Sequence, residues 1–331
     1  MDRITIIGTG LIGSSIGLAL KRLRLKDTEI VGVDLERSVS NKAKKIGAID
    51  KIEKNLINAV ADASIVFIST PVMSVKDIME IIGPRLNQGA LVTDTGSTKR
   101  EVMNWAKEFI TPYADFIGGH PMAGKESSGP EEADADIFYN KPYCLVPDGK
   151  ASTSNVEILV NLITAIGANP YFIDESEHDS FVAAVSHVPF VLSAALVSCV
   201  ARSPQWDDIS RLASSGFRDV SRLASGDPTM HRDICITNRD YIGYWMDQLI
   251  AELLLLKNTM MDKDASDDLT DLFADALLNR DSWLNGSASP SGRSDYKRPN
   301  VPSLAGIMFG EKMVEKVFGS ENNKDNNQTR Q

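Results

Sequence analysis

The chain has little of what metal centres and disulfide frameworks are made from. Its three cysteines, Cys144, Cys199 and Cys235, are scattered and form no C-x-x-C pair. That spacing argues against a disulfide scaffold or a zinc framework and for reduced thiols in a cytoplasmic setting. The four histidines, His120, His178, His187 and His231, show neither H-x-x-x-H nor H-E-x-x-H spacing, so no metal is expected. No G-x-S-x-G elbow offers a hydrolytic serine. Basic charge is in deficit: 35 Lys and Arg against 45 Asp and Glu leave a net charge of −10, which argues against a nucleic-acid partner. No basic-then-apolar leader precedes the first apolar run. The longest nearly uncharged run, Phe181 to Ala201, is interrupted by His187, Pro189 and several serines. It reads as a buried helix and not as a membrane span.

What is present begins at Ile4. The stretch ITIIGTGLIGSSIG, Ile4 to Gly17, runs from an apolar strand through a glycine turn into a helix pattern. Gly8, Gly10 and Gly13 fit the G-x-G-x-x-G dinucleotide fingerprint. Gly8 permits the sharp turn, Gly10 lets a pyrophosphate approach the backbone, and Gly13 lets the helix pack closely on its strand. The helix opens at Leu11 and Ile12, where unpaired N–H groups and the positive dipole end face the phosphates. A second strand, Glu29 to Val33, ends at Asp34, about 20 residues after Gly13, the spacing of a ribose-binding acid. Asp34 favours NAD because a carboxylate accepts from a ribose 2′-hydroxyl and repels a 2′-phosphate. Arg37 leaves NADP open, since it can stack on adenine or reach a phosphate.

With 331 residues and 43% hydrophobic content, the chain can bury a sizeable core and is expected to form two domains. Ser38 is placed to cap a helix through Ile46, and a short helix surrounds Leu56 to Ala61. Ser64 to Ser69 is a doubly buried strand by its continuous apolar, β-branched character. It ends at Ser69, Thr70 and Pro71, at the carboxyl end of a parallel strand, where open α/β sheets bind ligands. Ser74 is placed to cap a helix from Val75 to Ile82. The strand Leu91 to Asp94 runs into Thr95-Gly96-Ser97-Thr98-Lys99 and a helix from Arg100 to Phe109. Further strands are expected at Phe116 to His120, Tyr143 to Pro147 and Pro170 to Ile173, with a helix from Asn155 to Ile166. This alternation predicts an α/β fold: a Rossmann-type, doubly wound parallel sheet over residues 1–173.

From Asp174 to about Leu284 the periodicity is helical throughout. Phe181 to Ala201 and Tyr241 to Met261 are apolar nearly all round, so a partner subunit is expected to complete their burial. An all-helical domain over residues 174–285 that forms a homodimer is the expected outcome. The remainder, residues 286–331, is polar or rich in Ser, Pro and Gly and reads as linker or disorder.

His120 lies in GGHPMAGKESSG, at the end of an expected strand and flanked by glycines, where a cofactor domain would place a proton acceptor. His187 lies inside the apolar helix just before Pro189, which removes a backbone donor and can kink the helix open. His178, between Glu177 and Asp179, is expected to cap the start of that helix. His231 reads as structural or exposed. Arg218, Arg222 and Arg232 suggest a carboxylate clamp, because guanidinium pairs bidentately with carboxylates.

Taken in order, GTGLIGSSIG, STP at Ser69 to Pro71, DTGSTK at Asp94 to Lys99, GGHPMAGKESSG, HDSFVAAVSHVPF and FRDVSRLASGDPTMHRDI resemble the prephenate dehydrogenase family over roughly residues 3–285. The resemblance implies oxidative decarboxylation of prephenate to 4-hydroxyphenylpyruvate, or of arogenate to tyrosine, by hydride transfer to NAD(P)+. It implies His120 as the catalytic histidine and Ser97 as a serine bridging it to the nicotinamide ribose. Arg222 then matches the substrate-carboxylate arginine, His187 a histidine of the substrate pocket, and Glu126 a residue that gates or polarises the site. Phe190 departs from the pattern, since many members carry histidine there. A β-hydroxyacid dehydrogenase shares the glycine loop but needs a lysine on the helix opening its second domain, and Phe181 to Ala201 has none. A non-catalytic NAD-binding regulator would need the fold but not His120.

Overall fold

The computed structural model describes residues 2–125 and 127–286. Glu126 and the tail segments 287–300, 314–318 and 320–331 lie outside the described residues. β1 (Asp2–Ile7) passes through the glycine turn into α1 (Leu11–Arg22), followed by β2 (Thr28–Val33) and α2 (Arg37–Lys45). A two-residue β3 (Lys51–Ile52), too short to leave a sequence pattern, and α3 (Leu56–Val60) come next. β4 (Ala63–Ile68), α4 (Val72–Ile82), β5 (Leu91–Asp94), α5 (Arg100–Phe109) and β6 (Asp115–Pro121) complete the parallel part. β7 (Pro142–Pro147), α6 (Thr153–Ala165) and β8 (Asn169–Phe172) finish the sheet.

The expected caps Ser38 and Ser74 lie inside their helices. The Asp34 carboxylate accepts from Glu36 N at 3.0 Å just ahead of α2, whose N-cap residue Glu36 makes no side-chain cap. At α4, Pro71 fixes the backbone at the N-cap and the helix starts directly after it.

The sheet order is β3-β2-β1-β4-β5-β6-β7-β8. Pairing is parallel except between β6 and β7. That exception has a simple cause: among the described residues of 122–141 only a short 3-10 turn occurs, in place of the crossover helix that a parallel strand would need. Along β4, Val66 and Ile68 enter one apolar layer, with Val75, Met79 and Val102, while Phe67 enters the other, with Ile16, Leu20 and Ile163. Helices therefore cover both faces, which explains the uninterrupted apolar strands. Each fully buried side chain of this size adds about 1.5–3 kcal/mol.

Beyond Asp174 only helices occur among the described residues. Asp174 caps α7 (Glu175–Val182) by accepting from Ser176 N, and a π-helical turn, Ala183–His187, leads into α8 (Val188–Ala201). α9 (Trp206–Arg211), α10 (Ser215–Ser221), α11 (Pro228–Thr237), α12 (Arg239–Met261) and α13 (Ser266–Leu284) follow. The compact units of the chain divide between Ile250 and Ala251.

Glu175–Ala201 is, among the described residues, the one helical stretch long and apolar enough to cross a membrane. Only 39% of its most apolar window is buried. Val188, Phe190 and Ser193 face inward, whereas Phe181, Val185 and Leu192 are exposed.

Candidate active site

The strand order reverses between β1 and β4, and the crevice at their carboxyl ends gathers the predicted cofactor residues. Gly8 adopts φ +87°, and a Cβ there would lie 2.4 Å from Ser69 O. A Cβ on Gly13 would meet Gly8 O at 2.0 Å, so this glycine is what allows α1 to lie against the turn. Gly10 differs: a Cβ there meets nothing within 4 Å. Its openness is of the kind a bound phosphate fills. Leu11 and Ile12 open α1, which has no side-chain cap and no acidic residue in its first turn. Ser69 Oγ and Thr70 Oγ1 are buried without hydrogen-bond partners, as groups that await a ligand would be. Asp34 Oδ2 accepts from Thr9 N at 2.8 Å, so this carboxylate braces the glycine turn. Arg37 is the exposed first residue of α2. These features fit a dinucleotide.

A second set of residues meets one strand further along. His120, next to last in β6, is paired across the sheet with Cys144. Its Nδ1 lies 2.9 Å from His178 Nε2, and His178 Nδ1 lies 2.8 Å from Asp179 Oδ1. The Asp179 carboxylate also accepts from Lys99 N at 2.7 Å and Arg100 N at 2.9 Å, at the start of α5. Asn238 Nδ2 donates to Asp179 O at 2.7 Å and stands 3.1 Å from His187 Nδ1. Three histidines thus share one buried network.

The π-turn delivers His187 to it. Pro189 has no N–H to offer Val185 O, and Val188 N reaches back to Ala183 O instead. The widened turn places His187 inward, 1% exposed.

Burial sets the electrostatics. It pushes the His120 pKa well below its ordinary value, helped by His178 and Lys99. It lowers His178 against the opposing pull of Asp179, and it lowers His187 to about 4. All three imidazoles are therefore neutral at pH 7. Beneath His120, Asp94 and Lys99 form a fully buried ion pair. Asp94 also accepts from Gly96 N at 2.7 Å and from Gly119 N at 3.0 Å, which fixes the strand next to His120. Among the described residues no group of His, Cys, Asp and Glu is placed to hold a metal ion.

Ser97 is half-buried in the loop between β5 and α5, two residues before Lys99. Arg222 lies exposed in the 3-10 turn Arg222–Ser225, which packs on α8. Arg218 is likewise exposed, and Arg232 pairs with Asp233 at 2.6 Å. His231 stacks on Phe190 with ring centroids 4.1 Å apart. Glu126 lies outside the described residues. Further along, Asp134 N donates to Ser15 Oγ of α1 at 3.0 Å.

His178 is not the helix cap that its acidic neighbours suggest. Asp174 has that role, and His178 is turned inward, 0% exposed. Sequence reasoning also missed Asp94, Lys99, Asp179 and Asn238. A charged residue closing an apolar strand, as at Asp94, was the one available signal.

Family models match almost the whole of this architecture. The prephenate dehydrogenase nucleotide-binding domain matches residues 16–172, and the prephenate dehydrogenase dimerization domain matches residues 174–275. The chain belongs to the prephenate dehydrogenase family. It is an oxidoreductase of that family. Among its relatives, prephenate dehydrogenase of Bacillus subtilis is 36% identical over 268 residues, covering 80% of this chain and 71% of that one. The crystal structure of Aquifex aeolicus prephenate dehydrogenase with hydroxyphenyl propionate and NAD+ superposes with a TM-score of 0.80 at 26% identity. It covers 86% of this chain and 98% of that one. Synechocystis arogenate dehydrogenase superposes with a TM-score of 0.73 at 28% identity, over 85% and 99% of the two chains.

Proposed function

We propose that this chain oxidises prephenate to 4-hydroxyphenylpyruvate with NAD+ as the hydride acceptor, releasing CO2. The observation that carries the reading is a buried, neutral His120 at a strand end beside the β5–α5 loop, in a fold whose dinucleotide crevice is intact. Gly8, Gly10, Leu11, Ile12 and Gly13 receive the pyrophosphate, Asp34 and Arg37 the adenosine end, and Ser69, Thr70 and Pro71 the inner wall. NAD+, when bound, supplies the acceptor for the ring carbinol hydride.

His120 accepts the ring hydroxyl proton, a task for which a neutral imidazole is suited. Ser97 orients that hydroxyl and the ribose. His187, whose Nδ1 accepts from Asn238, offers Nε2–H to the substrate. Arg222 binds a substrate carboxylate. Loss of the ring carboxylate as CO2 leaves its bonding electrons to complete the aromatic ring, and the phenolate oxygen takes back the proton from His120.

The helices from Asp174 onward form the substrate and dimer domain, with the division at 173/174. The exposed side of Phe181, Val185 and Leu192 is the face that a second copy covers, in a cytoplasmic homodimer. Arogenate is the second reading, favoured by the Synechocystis relative. Comparing kcat/KM for prephenate and arogenate with NAD+ and NADP+ tests the proposal, and no turnover of either substrate would refute it. His120→Asn is expected to lose about 10²–10⁴-fold in kcat.

A further inference from the structure

The hydrogen bonds around His120 have a direction, and that direction can be traced from one end. At Asp179 the carboxylate offers only acceptors: Lys99 N and Arg100 N donate to it from the start of α5, so Asp179 is held in place by backbone. The ring nitrogen facing it, His178 Nδ1, must therefore be the donor. His178 is buried and neutral, so its Nε2 carries no proton and acts as an acceptor. The group 2.9 Å away, His120 Nδ1, is then a donor, which leaves His120 Nε2 bare. A bare Nε2 is what a proton acceptor needs.

We infer that His178 and Asp179 are positioning residues that fix His120 in its Nδ1–H tautomer and share the positive charge when it takes the substrate proton. This rests on the reading of His120 as the proton acceptor. The energetic logic is that of buried carboxylate–histidine pairs, where loss of the carboxylate leaves the imidazole in the wrong tautomer. Here a second imidazole is interposed. The extra ring lets the carboxylate be anchored by the backbone N–H groups of Lys99 and Arg100 at the start of α5. No proton needs to leave the site: His120 takes it from the hydroxyl, holds it against His178, and returns it to the phenolate oxygen. The other charged groups nearby, Lys99 and Asp94, are already paired with each other and offer His120 no hydrogen bond. His187 faces Asn238 instead.

Nitrogen-15 spectra of the histidine-labelled protein, assigned by His120→Asn and His178→Leu, test the tautomer without turnover. His120 is expected to show a protonated Nδ1 and a bare Nε2, and the reverse pattern would overturn the inference. In steady-state kinetics His178→Leu is expected to lose about 10²-fold or more in kcat, while KM and the NAD+ dissociation constant stay within about threefold. His178→Gln, whose amide oxygen can still accept from His120 Nδ1–H, is expected to recover about tenfold of that loss. A kcat for His178→Leu within threefold of wild type, alongside a crippled His120→Asn, would sink the dyad alone. Full turnover by His120→Asn would sink the acceptor reading and the dyad with it. If His178→Leu does not fold, the wild-type spectrum still decides.

Discussion

Replacing Lys99 with Met removes one half of an ion pair that water does not reach. Both side chains are 0% exposed. Once the ammonium is gone, Asp94 keeps Gly96 N at 2.7 Å and Gly119 N at 3.0 Å but loses the cation paired with it. Stripping one member from a buried pair costs about 3–5 kcal/mol. Against a total stability of about 5–15 kcal/mol that is a large fraction. At roughly 2–4 °C per kcal/mol for chains of this size, the midpoint should fall by about 10 °C. Asp94→Leu should be worse, because it strands the ammonium and also orphans two backbone N–H groups at about 1–3 kcal/mol each. The folded chain should then fail to accumulate. Asp94→Asn combined with Lys99→Met removes both charges and keeps an acceptor for one N–H, so most of the loss should return. Urea titration of the wild type, Lys99→Met, Asp94→Asn and the double variant combining these two gives the coupling through a thermodynamic cycle, provided the slope m is unchanged. A Lys99→Met protein within about 1 kcal/mol of wild type would refute the reasoning, since it would mean that the pair carries no desolvation penalty.

Other outcomes follow from the same structure. Gly10→Ala should leave the melting temperature unchanged, because its Cβ enters open space, yet raise the NAD+ dissociation constant at least about tenfold as the phosphate meets the methyl; equal binding would show that the crevice holds no pyrophosphate there. Gly13→Ala should lose both stability and binding, since the Gly8 carbonyl must move. Asp34→Ala should weaken NAD+ more than NADP+ and loosen the glycine turn it braces, measurable as a changed ratio of kcat/KM for the two cofactors. Below pH 6.5 the unfolded chain binds protons that buried His187 refuses until about pH 4, so stability falls as pH falls through that window, by about 3 kcal/mol in all. Urea midpoints between pH 7 and pH 4 should show that slope, and His187→Asn should reduce it.

The sheet was legible because its central strands, such as β1, β4 and β5, are largely buried on both faces and each turn carries its own chemistry. Gly8, Ser69 and His120 all stand at strand ends, where a linear pattern of apolar run and turn residue marks the position. β3 has two residues and leaves no period to detect, and the antiparallel β7 follows from a missing crossover helix that no local residue announces. The site was half legible for the same reason. His120 and His187 stood out by rarity and context, but Asp179 is held by backbone N–H groups some 80 residues away, Lys99 N to Asp179 Oδ1, and Lys99 by a buried pair with Asp94 that no apolar pattern announces. His178 misled because its neighbours Glu177 and Asp179 make it look like a surface residue, while the helix turns it into the interior. Lys99 gave no signal at all, since a lysine rarely lies fully buried unless it is paired.

The contacts that hold His178 in place also decide how the molecule can move. Thr98 meets Thr237 at 2.9 Å, Lys99 N and Arg100 N bind Asp179, Asn238 clasps the backbone of the same residue, and His120 meets His178. Each bond contributes only about 1 kcal/mol net, but separating the sheet from α7, α11 and Asn238 would break all of them together and expose polar groups that now have partners. Such a seam behaves as a weld, not a hinge. Turnover is therefore expected to proceed without the wide opening and closing that governs the tempo of many two-layered enzymes, and traffic of substrate and product is left to the mouth of the crevice.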